Sequence, residues 1–218
     1  MTTSELPTII KEIRHTLREL SSPTVAQIRN IRRSYSRQLA SASPDEILRL
    51  ALELLRNDVP QFFAYELVQH HKAARKSLDT KTIEALAIHL DSWEAVDSFA
   101  SFLTGPAWRD GQLSDADIKR WARSKDRWWR RLAVVSTVPL NNKTRGGDGD
   151  PKRTVMICEM VVEDRDDMVV KALSWALREL SKRDRETVVQ FVQKNQSRLA
   201  ARVVREVNNK LLTGLKNP

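Results

Sequence analysis

The stretch HLDSWEAVDSFASFL places an aromatic ring and a carboxylate together in an otherwise apolar helical pattern. Trp93 and Asp97 are four residues apart, slightly more than one helical turn, so both side chains are expected on one face of a helix. A carboxylate among apolar and aromatic side chains is costly to desolvate unless a cation compensates it. The pattern therefore predicts recognition of a positive charge, which either the protein or a bound molecule supplies.

The charge balance indicates a polyanionic partner. Lysine and arginine number 37 against 28 aspartate and glutamate residues, which gives a net charge of +9. Residues 119–131 contain seven basic residues and one acid, and residues 29–37 contain four arginines and no acid. An anionic membrane would favour basic residues on one strongly amphipathic helix, whereas the tryptophan-rich segment here is basic on more than one side. The pattern favours nucleic acid over a membrane.

Other kinds of site find little support in the sequence. The Gly-Gly pair in PLNNKTRGGDGDPKR lacks the spacing of a phosphate-binding loop. The four histidines have no ligand partner at useful spacing, so neither a metal site nor a cofactor is predicted. The single cysteine, Cys158, excludes an internal disulfide and is expected to be a small buried hydrophobic residue. No secretory signal or membrane-spanning stretch is recognisable, so a cytoplasmic protein is expected.

Helical periodicity runs through almost the whole chain, which predicts an all-α fold of about twelve helices. Ser22 before Pro23, and Ser43 before Pro44, have the spacing of an N-cap followed by proline in the first turn. Ser114 is expected to cap a further helix, with Asp117 completing a capping box. The segment TVMICEMVV is rich in β-branched residues, but its place in a helical series favours a helix.

Weak self-similarity indicates how these helices are organised. Four aromatic or β-branched helices begin at Pro60, Asp91, Asp126 and Asp167, at intervals of 31, 35 and 41 residues. An uneven period with two helices per unit is typical of a HEAT-like solenoid of antiparallel helix pairs, rather than a globular bundle. We therefore expect a single domain over residues 1–218 with a concave basic face, and an exposed loop at about 139–153.

The segments SWEAVDS, DRWWRRLAVV and KALSWALRE together resemble the motifs of the DNA alkylation repair family of HEAT-like DNA glycosylases, the AlkD type. The resemblance extends over about residues 60–212. It implies hydrolysis of the N-glycosidic bond of positively charged alkylated purines, N3-methyladenine and N7-methylguanine, in base excision repair. The matching positions are Trp93, Asp97, Trp128, Arg131, Ala172, Trp175, Leu177, Arg178 and Glu179.

The chemistry of such a substrate suits these residue types. A cationic base is a good leaving group, and the sugar becomes an oxocarbenium-like cation as the base departs. A carboxylate can stabilise that charge and orient a water, and tryptophan faces attract cations. Arg131 could either hold a phosphate or fix the carboxylate, and we favour the phosphate, so that the cation opposite Asp97 is the substrate. The predicted catalytic residues are Asp97, Trp93, Trp175 and Arg131, and the predicted DNA contacts are Arg130, Arg127, Arg178, Arg33 and Lys171.

The expected partner is double-stranded DNA containing alkylated bases, bound by a monomer. A non-catalytic module that holds damaged or branched DNA is the first alternative. A scaffold that binds acidic proteins through the same basic groove is the second. The remaining conspicuous residues have structural interpretations: Trp108, Trp121 and Trp129 as packing residues, and Glu94 and Glu179 as members of salt bridges.

Overall fold

The described part of the chain is built from helices. The computed structural model describes residues 6–218, and no strand occurs within that range. The predicted all-α class is confirmed, and the packing of successive helices is consistent with a helical-repeat solenoid. The chain divides into two compact units, Met1–His89 and Leu90–Pro218, and the single domain and concave face stay predictions. Among residues 6–218, no helix is both long and apolar enough to cross a lipid bilayer.

The N-terminal unit packs its helices around buried aliphatic and aromatic side chains, among them Ile47, Leu50 and Phe63. The third helix packs against the fourth, and the second also contacts the fourth. The helices are α1 (Leu6–Arg18), α2 (Val25–Gln38), α3 (Pro44–Leu55), α4 (Gln61–His70), α5 (Lys72–Lys76) and α6 (Thr80–Leu86).

Side-chain caps fix where these helices begin. The Ser43 hydroxyl accepts from the backbone N–H of Glu46, and the Glu46 carboxylate accepts from the backbone N–H of Ser43, so the predicted cap of α3 is confirmed. The predicted cap of α2 was wrong by two residues. Thr24 is the N-cap, and it forms a capping box with Gln27. Ser22 instead has a positive φ of 55°, because the chain turns there before the helix starts.

The C-terminal unit holds the motif-bearing helices. The long α13 (Asp167–Leu180) packs on α10 (Arg127–Val135) and on α15 (Ala201–Thr213), and α7 (Trp93–Phe99) packs on α10. The three helices that carry the motifs, α7, α10 and α13, are therefore fixed against one another. Trp108, Leu132 and Leu177 are buried in this unit. The helices are α7 (Trp93–Phe99), α8 (Gly105–Arg109), α9 (Asp115–Ala122), α10 (Arg127–Val135), α11 (Val138–Asn141), α12 (Pro151–Met160), α13 (Asp167–Leu180), α14 (Arg185–Lys194) and α15 (Ala201–Thr213).

A π-helical segment, Ala100–Thr104, directly follows α7. Within it the N–H of Gly105 donates to the carbonyl of Ala100, one residue further back than in an α-helix. Pro106 comes next and has no N–H, so the regular hydrogen-bond ladder is interrupted here in any case. A Cβ on Gly105 would lie 2.6 Å from Cγ of Pro139, which explains why glycine occupies this close approach.

The loop predicted at about 139–153 is shorter than expected. Helix α11 and a 3₁₀ turn at Lys143–Arg145 occupy its first part, and α12 begins at Pro151. The side-chain oxygen of Asn141 accepts from the backbone N–H of Asp150 at 3.0 Å, so the two ends of the loop are tied together. Helix α12 contains TVMIC and confirms the helical interpretation of that segment.

Candidate functional site

Helix α7 presents Trp93 and Asp97 as the sequence pattern predicts. Ser92 caps the helix by accepting the backbone N–H of Ala95 at 3.3 Å, so Trp93 is the first helical residue. The Trp93 side chain is 51% exposed, which is unusual for a large aromatic ring. Asp97 lies one turn further on, beside the fully buried Val96. The helix therefore offers an accessible indole next to a largely buried carboxylate.

The cation opposite Asp97 is Arg131 of α10. Its Nε donates to Oδ1 of Asp97 at 2.9 Å and its Nη2 donates to Oδ2 at 2.7 Å. A third donor, Nη1, bonds the backbone carbonyl of Met168 in α13. The Arg131 side chain is 6% exposed and that of Asp97 is 15% exposed. This geometry supports the carboxylate-fixing role of Arg131, and it corrects our preference for a phosphate contact and for the substrate as the only cation facing Asp97.

Burial raises the pKa of Asp97 above its ordinary value, and the hydrogen bonds and positive charge of Arg131 oppose that shift. Glu94, one turn earlier in α7, adds to the upward shift by like-charge repulsion. Two of the carboxylate's lone-pair positions are used by Arg131 in a bidentate pair, which fixes the plane of the group. The remaining positions can accept further hydrogen bonds.

Helix α13 connects the Asp97–Arg131 ion pair to Trp175. Asp166 caps α13 by accepting the backbone N–H of Met168 at 2.9 Å. Trp175 follows Met168 by seven residues, which is two helical turns and returns to the same face. Its indole is half-buried. The contact of Arg131 with Met168 therefore fixes the helix that carries Trp175 relative to the carboxylate of Asp97.

Arg130 holds the start of α10 in place. Its Nε donates to Oδ2 of Asp164 at 2.6 Å, and its Nη1 donates to the carbonyls of Ser124 and Lys125 at 3.1 and 2.9 Å. Three protein acceptors engage most of this guanidinium. The geometry therefore favours a structural role over the DNA contact predicted from the sequence.

Arg127 and Lys171 are more accessible than Arg130. Both side chains are exposed near the beginnings of α10 and α13. The Arg127 guanidinium lies 4.9 Å from the ring centre of Trp128 and 3.7 Å from Asp166, and Lys171 pairs with Asp167 at 2.7 Å. Exposed pairs of this kind stabilise the fold little, so both cations remain available to a polyanion.

Arg178 belongs to a buried polar network that sequence reasoning missed. Its Nε donates to Oγ of Ser174 at 3.2 Å, and that hydroxyl donates to Oε2 of Glu206 in α15 at 2.6 Å. Lys216 pairs with the other oxygen of Glu206 at 3.5 Å. Burial lowers the pKa of Arg178. No spacing along the chain links residues 174 and 206, so only the packing of α13 on α15 reveals this network.

The other predictions have mixed outcomes. Trp108 and Trp121 are buried and Trp129 packs against Trp121 with ring centres 5.4 Å apart, which confirms their packing role. Glu179 pairs with Lys182 at 2.7 Å as predicted. Glu94 is exposed and, within residues 6–218, has no ion pair, so its predicted salt bridge was wrong.

Cys158, the question of a metal site and Arg33 concern parts of the chain outside the Asp97 region. Cys158 is buried, and burial raises the pKa of its thiol. Across the described residues, no three histidine, cysteine, aspartate or glutamate side chains are placed to hold a metal ion. Arg33 lies on α2 in the N-terminal unit, is exposed, and donates to Oδ1 of Asn30 at 2.9 Å.

Comparison with known proteins agrees with the motifs. Residues 15–211 match the model of a family described as DNA alkylation repair enzyme. A search among curated proteins found no match. The family match extends over most of the 218 residues and includes α7, α10 and α13, which carry the Asp97 region. The chain therefore belongs to the DNA alkylation repair enzyme family, of the AlkD type, and acts in the repair of alkylation damage in DNA.

Proposed function

We propose that the chain is a monofunctional DNA glycosylase that hydrolyses the N-glycosidic bond of N3-methyladenine and N7-methylguanine in double-stranded DNA. The observation that carries the proposal is an accessible tryptophan beside a carboxylate whose orientation is fixed by a buried arginine. A carboxylate held in this way suits a reaction in which positive charge develops on a sugar.

Asp97 is the proposed catalytic group. Its carboxylate interacts most strongly with the sugar when the base departs, so it stabilises the transition state more than the bound substrate. A free lone pair on the same carboxylate can accept a proton from water and orient that water toward the sugar carbon. The leaving base already carries a positive charge, and no general acid is required for its departure.

Arg131 is the proposed positioning residue. An isolated carboxylate that is this buried would take up a proton instead of remaining charged. The bidentate pair stabilises the anionic form of Asp97 and sets the direction in which its remaining lone pairs point. The bond from Arg131 to Met168 extends this control to α13.

Trp93 and Trp175 are proposed to contact the cationic nucleotide. Contact between a cation and one ring face contributes about 0.5–2 kcal/mol of binding free energy, with the larger values where water is excluded. Because Trp93 is half exposed, its ring can receive a ligand without any core rearrangement. Arg127, Lys171 and Arg33 are proposed to neutralise DNA phosphates, and so is Arg178, of which only Nε is engaged, by Ser174. Arg130 is left out because its guanidinium is engaged by Asp164 and two carbonyls.

The proposal is tested by measuring base release from duplex DNA that contains N7-methylguanine. The protein should liberate the free base and leave an abasic strand that is not cleaved until it is treated with alkali. A uracil mismatch, whose base is neutral, should be a poor substrate. Tight binding of the methylated duplex without base release would instead support the non-catalytic DNA-binding module.

A further inference from the structure

Positive charge is concentrated at one place in the N-terminal unit. Residues 29–43 contain four arginines and no acid, and residues 66–77 contain three lysines or arginines and one acid, Glu66. Seven cations less one carboxylate give these two short segments a charge of +6, out of +9 for the chain. The first segment contains the end of α2, and the second contains the end of α4 and all of α5.

The one acid of these segments is already engaged by arginines. Glu66 is 2% exposed, and its carboxylate accepts from Nε of Arg29 at 2.7 Å and lies 3.3 Å from Nε of Arg32. Arg32 is itself buried, and its Nη1 donates to Oγ of Ser36 at 3.2 Å. Glu66 therefore compensates the charges of Arg29 and Arg32 inside the unit, and its carboxylate is not available to Lys72 or Lys76.

A cavity of about 540 Å³ lies among these cations. Its lining includes Ser36, Ser41, His70, Lys72 and Lys76, and it contains no aspartate or glutamate. Neither Lys72 nor Lys76 forms an ion pair with any residue between 6 and 218, and both are exposed. Two ammonium groups, two hydroxyls and an imidazole are donors of the kind that bind phosphate oxygens.

His70, in the lining of the cavity, is partly desolvated and lies near charged side chains of α2 and α4. Partial loss of solvation and the nearby charge of Arg32 lower the pKa of His70, with a further contribution from Arg33, and Glu66 opposes them. His71 also lines the cavity, and its Nδ1 accepts the backbone N–H of Ala74 at 3.1 Å, so its Nε2 carries the proton of the neutral ring. The two ammonium groups and the donor-rich lining, which contains no acid, together favour an anion.

We propose that this cavity binds a phosphate group of a nucleic-acid backbone and so forms a docking site outside the residues around Asp97. Charge continues beyond the cavity along α2 through the exposed Arg33 and Arg37, which suits a chain of phosphates better than one free ion. The inference rests on the action of the chain on DNA, and it does not depend on glycosylase chemistry.

The test compares two pairs of charge-removing substitutions in the same unit. Lys72→Gln with Lys76→Gln alters the proposed site. Arg49→Gln with Lys81→Gln is the matched control, because these residues line a cavity of about 470 Å³ that also contains Asp45 and Asp79. Affinity for an undamaged duplex is measured by fluorescence anisotropy at several salt concentrations, after circular dichroism has shown that both variants are folded.

The site variant should bind the duplex about tenfold or more weakly at 0.1 M salt, and the slope of log K against log salt should fall by about 1–2. The control should bind within about twofold of the wild type. Equal weakening by both pairs, or none in the site variant, would overturn the proposal. Tight binding of inorganic phosphate that depends on Lys72 and Lys76, without any effect on the duplex, would also overturn it and identify a free anion as the ligand.

The proposed function fails by a different result. A wild-type protein that binds the undamaged duplex but releases no methylated base would refute glycosylase activity, and the affinities of the two variants would still decide the docking site.

Discussion

Replacing Arg131 with methionine should destabilise the protein strongly and in a pH-dependent way. The substitution keeps an unbranched side chain but removes the two bonds to Asp97 and the bond to Met168. Removing one partner of a buried ion pair costs about 3–5 kcal/mol, because a charge is left without compensation. The Arg131 and Asp97 side chains are only 6% and 15% exposed, so the cost for a buried pair applies here, not the smaller cost for an exposed one.

Protonation of Asp97 sets an upper limit on the electrostatic part of that loss. Without Arg131, the pKa of Asp97 in the folded protein rises further above its unfolded value, so the loss is present above the unfolded pKa and is relieved as pH falls through the folded one. From an unfolded pKa near 3.9, protonation costs at most about 4 kcal/mol at pH 7 and about 1.5 kcal/mol at pH 5. The loss should therefore be clearly smaller at pH 5.

Urea unfolding of the wild type and Arg131→Met at both pH values measures this difference. The double variant Arg131→Met with Asp97→Asn is the control, since it removes the stranded charge and should recover much of the lost stability at pH 7. A loss below about 1 kcal/mol, as for an exposed ion pair, would show that Asp97 is not stranded as a buried charge, and so would equal losses at pH 5 and pH 7.

Three further outcomes follow from the same geometry. Trp93→Ala should keep the melting temperature within a few degrees of wild type while lowering excision of cationic bases more than of neutral ones, whereas Trp121→Ala should cost about 3–5 kcal/mol of stability because that ring is buried. The excision rate should fall as pH drops through the pKa of Asp97, and at a higher pH than for an ordinary aspartate, because burial raises that pKa; a pH–rate profile measures it. Arg130→Ala should lower the melting temperature and leave the salt dependence of DNA binding unchanged, because its guanidinium is engaged by Asp164; a slope reduced by about one would make Arg130 a phosphate contact after all.

The sequence predicts local features of this protein well. Helical periodicity identifies the class, and the caps at Ser43 and Ser114 are at the predicted residues because a capping box depends on four consecutive positions. The cap at Thr24 was missed because Ser22 and Pro23 offered an equally good local signal. The positive φ of Ser22 takes that residue out of the extended conformation of an N-cap, so Thr24 caps α2 instead.

Pairings between distant residues are the part that the sequence does not predict. Arg131 was expected to hold a phosphate, yet the packing of α7 on α10 brings it to Asp97, 34 positions away. Helix packing likewise brings Arg130 to Asp164 and Ser174 to Glu206, pairs that lie 34 and 32 positions apart in the sequence. Each arginine is one of several in a basic run, and only the packed structure shows which ones meet a buried carboxylate and which ones, such as Arg127, stay exposed.

Single-turnover release of N7-methylguanine by Asp97→Asn measures whether the Asp97 carboxylate is catalytic, and Glu94→Gln on the same helix is the control. Asparagine keeps the size of the side chain and removes its charge, so duplex affinity and folding should change little while base release falls by about 100-fold or more. Glu94→Gln removes an exposed charge one turn away and should release the base at close to the wild-type rate. Release by Asp97→Asn near the wild-type rate would remove Asp97 from the mechanism.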